Sequence, residues 1–274
     1  MELLAAGHGF NDLSRLNPDR GDAGRLCEIA WFGSAVADIA SSGDGSANLR
    51  ALRTGGLFNV AVALVDSVVD RRRDGRAGGL TVALAPPALR DRLLVERPLD
   101  TEGPGGEIVA LMDVVLRDVA ERWRHDPQML AEAHELLTRM YISEMRPGVS
   151  RRDAKLLPLT FVGVVSDHAR RPAVRETVQG ISRFAGLLDD WQDLGDDLVA
   201  GRANAFLHER DLAPATSAPR ALTGARLIAR PRKASSGIAG QVRAALLTTV
   251  EAARRAGGDV EAKTHAFLRC LLMP

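Results

Sequence analysis

Two short stretches carry carboxylates in a pattern suited to a hard divalent cation. The first is Asp66-Ser67-Val68-Val69-Asp70, with its acids four residues apart. The second is Asp189-Asp190-Trp191-Gln192-Asp193, continued by Asp196 and Asp197, so that five carboxylates fall within nine residues. On a helix, Asp189, Asp193 and Asp197 lie one turn apart on one face, and Asp190 neighbours Asp193 and Asp197. Like charges at that spacing repel by about 0.2–0.5 kcal/mol per pair. A helix ending near Gly201 would also hold them toward its negative end, where the macrodipole favours cations. A bound divalent ion reverses both effects. All-oxygen donors select Mg²⁺, or Mn²⁺, over zinc or copper. Mg²⁺ commonly takes one or two carboxylates and completes its shell with water and phosphate oxygens, so an incomplete acidic cage fits a metal–diphosphate site.

Asp66 and Asp70 interrupt an apolar stretch that starts at Ala61, and they too fall near a helix end. A solvated helix end would account for this pair alone. It does not account for the crowding at 189–197. Two apolar helices with acids at their C-terminal ends, facing across a bundle, would provide a greasy pocket with metal ions at its mouth.

Helical periodicity must supply the elements that position these acids. Residues 1–21 are rich in turn formers and read as an irregular lead-in. From Asp22, apolar residues recur at three- and four-residue steps up to Gly43. A second helix runs from about Ser46 to Asp74, with Gly55-Gly56 expected to kink it. Thr81 to Ala85 is the best strand candidate, and a short helix follows Pro86-Pro87. Further helices read from Glu107 to Arg124, from Pro127 to Met145, and from Ser150 to His168 with a kink at Pro158. A long helix spans Ala173 to Ala200. Residues 212–234 read as a mobile loop, and two helices, about 236–256 and 259–272, close the chain. The expected fold is all-α: a single-domain antiparallel helical bundle over residues 22–274.

Composition excludes several alternatives. With 274 residues, 46% hydrophobic, and a net charge of +1, the chain can bury a full core and has no charge excess toward nucleic acid. Cys27 and Cys270 are the two cysteines, too few for a disulfide framework and not in a Cys-x-x-Cys pair. No run of 18 apolar residues occurs, so no membrane span is expected, and without a basic, apolar leader a cytoplasmic location is expected.

Asp66-Ser67-Val68-Val69-Asp70 resembles the first aspartate-rich motif, DDxxD, of class I isoprenoid synthases, with Ser67 in place of the second acid. Asp189-Asp190-Trp191-Gln192-Asp193 resembles their second motif intact. The stretch from Asp193 to Arg202 is similar to the D-x-G-E-D-x-x-x-G-R segment of phytoene and squalene synthases, and Lys155 to Leu159 to the K-T-x-x-L segment of polyprenyl diphosphate synthases. The resemblance covers roughly residues 46–210. It implies a helical bundle of the class I isoprenoid (terpene) synthase type. It implies two or three Mg²⁺ ions on Asp66, Asp70, Asp189, Asp193 and Asp197, with Asp190 beside them. Lys155, Arg202, Arg71 and Arg72 would contact the diphosphate of an allylic isoprenyl substrate. A homodimer is also implied. No Gly-Gly-Lys-Arg-x-Arg-Pro segment precedes the first motif. Chain-elongating enzymes bind isopentenyl diphosphate there, so the leading expectation is a terpene cyclase. A prenyltransferase and a non-catalytic helical partner subunit are the alternatives.

Overall fold

The computed structural model describes residues 23–41, 45–71, 76–145, 157–166, 171–192 and 231–272. These hold ten helices and no strand. They are α1 (Ala23–Ala40), α2 (Gly45–Arg71), α3 (Arg76–Ala83), α4 (Pro86–Leu94), α5 (Gly106–Arg122), α6 (Pro127–Met145), α7 (Leu157–Val164), α8 (Pro172–Gln192), α9 (Pro231–Ala256) and α10 (Gly258–Leu272). The all-α expectation is met.

Side-chain contacts fix the direction of each long helix. Asn59 Nδ2 donates to the Ile29 carbonyl and Ser34 Oγ to the Leu52 carbonyl, so α1 and α2 are antiparallel. Thr54 Oγ1 donates to Asp118, and Arg50 approaches Glu121, so α5 also runs against α2. Phe58 stacks on Phe161 while Gly55 meets Val162, which sets α7 against α2. At the end where α2 begins, Arg175 grips Glu132 with two bonds of 2.7 Å, placing the starts of α6 and α8 together. Gly180 packs on Thr249, and Arg255 pairs with Glu176, so α9 opposes α8. Lys263 reaches Asp38, and Phe267 stacks on Trp31, so α10 opposes α1. Helices α2, α6, α8 and α10 therefore point one way, and α1, α5, α7 and α9 the other.

Close approach depends on glycines at two crossings. A Cβ on Gly55 would stand 2.6 Å from the Gly33 carbonyl oxygen and 3.0 Å from Val162 Cγ1. Gly55 thus serves contact with α1 and α7 where a kink was expected. A Cβ on Gly163 would collide with Val178, which lets α7 lie directly against α8.

Other expectations need correction. The short helix α3, which holds Thr81, was not anticipated where glycines were expected to end the preceding helix. Leu80 and Leu84 are buried, and Tyr141 Oη donates to the Thr81 carbonyl, so packing on α6 overrides the weak local preference. Pro158 falls in the first turn of α7, where its missing N–H leaves no bond unmade, so it does not kink a helix interior. Helix α9 begins at Pro231 rather than near residue 236, so 231–234 are helical. Residues 1–21, 150–156 and 212–230 lie outside the described residues. The stretch Leu49–Val69 of α2 is long and apolar enough to cross a bilayer, contrary to the count of apolar runs, but 61% of its most apolar window is buried inside the bundle, as in a core helix.

A buried ion pair fastens α4 to α5. Arg92 Nε stands 2.7 Å from Asp113 Oδ1, with Arg92 only 4% exposed. The separation is that of an ion pair, although the Nε–H is not aligned for a hydrogen bond. The Leu99 N–H donates to the same carboxylate oxygen, tying the following loop down.

Gly55→Ala is expected to destabilise the protein by about 1–3 kcal/mol despite alanine's better helix propensity, because a backbone oxygen blocks its methyl group. Gly240→Ala, with open space around it, should instead stabilise by about 0.5–1 kcal/mol. Urea denaturation of both variants checks the contrast, and equal shifts would contradict this account of the crossing.

Candidate functional site

The two acidic motifs sit at the same end of the bundle. Helix α7 is sandwiched between α2 and α8, with Val162 against Gly55 on one side and Gly163 against Val178 on the other. From those crossings, α2 and α8 run toward the same end of the bundle. Asp66 and Asp189 each lie 11 residues further along their helices, about 16 Å of helix at 1.5 Å per residue.

Helix α6 ends at this rim too. Helices α2, α6 and α8 thus share a direction, and the C-terminal side of a helix carries the negative end of its dipole. Asp190 is in the last turn of α8 and is 6% exposed. Asp66 is half-buried on α2. A carboxylate buried at a helix C-terminus is unfavourable unless positive charge or hydrogen-bond donors surround it. The donor set is all oxygen, and its field attracts cations, so these residues fit Mg²⁺.

Of the remaining expected residues, Asp70 and Arg71 close α2 and Asp189 lies beside Asp190 in α8, with side chains outside the described residues. Arg72, Lys155, Asp193, Asp197 and Arg202 lie outside the described residues altogether. Among the described residues, no three His, Cys, Asp or Glu side chains converge as a metal-holding group. Of the six acids named from sequence, only Asp66 and Asp190 contribute side chains to that comparison.

Below Asp66 lies an apolar cleft of about 50 Å³. Phe58, Val62 and Val65 of α2 line it, facing Met112 of α5 and Leu137, Met140, Tyr141 and Glu144 of α6. Asp66 stands one turn beyond Val62, so the acid continues the stripe that lines the cleft. Phe58 also borders a cavity of about 10 Å³ beside Thr54 and Ser166, and so forms the wall between the two spaces.

Comparison with protein-family models, curated proteins and solved structures finds no match to this chain. The site must stand on its own geometry.

Sequence reasoning missed Glu144. Leu130, Ala133, Leu137 and Met140 form a buried stripe at three- and four-residue steps, and Glu144 occupies its next position. A carboxylate where the period calls for an apolar residue was a readable signal. One of its oxygens is fully buried, and its side chain lines the cleft on the level of Val65.

Phe58→Ala is expected to cost about 3–5 kcal/mol and to join the cleft to the cavity behind it. Benzene-dependent thermal stabilisation in the variant, absent from the parent protein, reads out the merged space. Its absence would mean that the wall closes by collapse.

Proposed function

We propose that the protein is a Mg²⁺-dependent class I terpene synthase that ionises an allylic isoprenyl diphosphate. The observation that carries this reading is that the two acid-bearing helices run toward the same end of the bundle, with Asp66 one turn beyond Val62 in the lining of an apolar cleft. Asp66, Asp70, Asp189, Asp190, Asp193 and Asp197 would hold the ions, and Lys155, Arg71, Arg72 and Arg202 the diphosphate. Bound Mg²⁺ supplies charge that stabilises the departing diphosphate.

The chain's own residues do the rest. Lys155, Arg71, Arg72 and Arg202 would orient the diphosphate at the rim, so that the allylic carbon enters the cleft between α2 and α6. The apolar walls exclude bulk water and fold the isoprenyl chain, so that the allylic cation closes on a double bond of its own substrate and the cyclised cation is quenched by losing a proton or capturing one water. Met112, Met140 and Met145 are unbranched and can repack to widen a cleft of about 50 Å³ around such a chain. The prenyltransferase alternative would add isopentenyl diphosphate as acceptor. The narrow cleft and Ser67 favour a second reading, a non-catalytic helical subunit that retains the bundle without turnover.

The deciding assay measures Mg²⁺-dependent diphosphate release from ten-, fifteen- and twenty-carbon allylic diphosphates, with and without isopentenyl diphosphate, with products identified by mass. Release and a cyclic product without isopentenyl diphosphate are expected. Product formed only with it would shift the reading to a prenyltransferase, and no release with any substrate to the non-catalytic subunit. Asp189→Ala combined with Asp193→Ala should lower turnover by at least roughly 100-fold, the scale of losing a main electrostatic contact to the leaving group. Intact turnover in that double variant would refute the site assignment.

Mg²⁺ together with inorganic diphosphate should raise the thermal midpoint more than either alone, because a ligand bound only by the folded state stabilises it. Asp66→Asn should remove most of that synergy. A shift unchanged in Asp66→Asn would place the ions elsewhere.

A further inference from the structure

The chain's two cysteines, far apart in sequence, occupy neighbouring helices. Two contacts fix how α1 and α10 align. Lys263 Nζ lies 3.1 Å from Asp38 Oδ1, and the rings of Phe267 and Trp31 stack at 5.5 Å. Phe267 also meets Phe32 edge-on at 5.0 Å. Moving from the ion pair to the ring stack descends α1 in number while it ascends α10. One further turn in the same sense reaches Cys27, four residues before Trp31, and Cys270, three residues after Phe267. Cys27 is half-buried and Cys270 exposed, so both thiols are open to a small reagent.

We propose that Cys27 and Cys270 form a reversible intramolecular disulfide that staples α1 to α10. Packed helix axes lie about 8–10 Å apart. A disulfide needs its Cα atoms at about 4.4–6.8 Å. Cα atoms stand about 2.3 Å off each axis, so facing positions fall near that range, and any closing movement falls in the last turn of α10 and near the start of α1, where helices yield most readily. The ring stack one turn away holds the register while the ends close. The chemistry is thiol–disulfide exchange with a low-molecular-weight disulfide such as oxidised glutathione. One cysteine thiolate attacks the oxidant's S–S bond and releases one glutathione thiol. The second cysteine thiolate then attacks the mixed disulfide and releases the other. Two protein thiols are oxidised, and one disulfide of the oxidant is reduced to two thiols.

The test incubates the full chain with oxidised glutathione, then denatures it and alkylates it with a maleimide before intact-mass measurement and tryptic mapping. The expected product is an unalkylated monomer two hydrogens lighter than the reduced chain, with a linked Cys27–Cys270 peptide. Cys27→Ser and Cys270→Ser should each leave one thiol, free or carrying one glutathione, and no linked peptide. Two glutathiones on the parent chain, a covalent dimer as the main product, or two maleimides after prolonged oxidation would each overturn the proposal.

Discussion

Carboxylates gathered at the negative ends of parallel helices repel each other and the field in which they sit. That constraint organises one end of this bundle. Helices α2, α6 and α8 run toward it, carrying Asp66, Glu144 and Asp190. Each helix dipole places about half a negative charge near its last turn. Lysine or arginine relieves such an end; α2 closes on Arg71, whereas the last turns of α6 and α8 carry no basic residue.

The arrangement rests on packing some 16 Å below the acids. Helix α7 is short, buried and almost wholly apolar, and it spaces α2 from α8. Gly55 and Gly163 let it touch both. Phe58 and Phe161, both without exposure, stack at 4.2 Å and lock α2 against α7. The rim geometry is thus set by small and aromatic residues that never approach it.

Much of this was legible in sequence, and the exceptions have physical reasons. Helix α6 was readable to the residue, because Pro127 opens it and its apolar positions keep the 3.6-residue period to Met140. Helix α3 was not, because its glycines argue against any helix and only the burial of Leu80 and the bond from Tyr141 hold it. The acids were visible as crowded charge. Their shared end was not, because it depends on how many helices intervene and which way each runs. Asp190 could be singled out as an acid but not as a buried one, since depth is a property of the packed bundle. That the helices bearing Cys27 and Cys270 pack together depends likewise on a ring stack between the first and last described helices.

Helix α2 has a further consequence, one that arises while the chain is being made. Its apolar stretch is long enough for a membrane, and in the finished protein α1, α5 and α7 help to cover it. Helix α1 is already present when α2 emerges from the ribosome, but α7 is completed about 95 residues later. At roughly 5–20 residues per second, that delay is on the order of 5–20 seconds. During it, the half-covered α2 displays to its surroundings what a nascent membrane protein displays. The α1–α2 hairpin, bonded through Asn59 and Ser34 and closed tightly at Gly33 and Gly55, can cover one side of α2 before α7 is made.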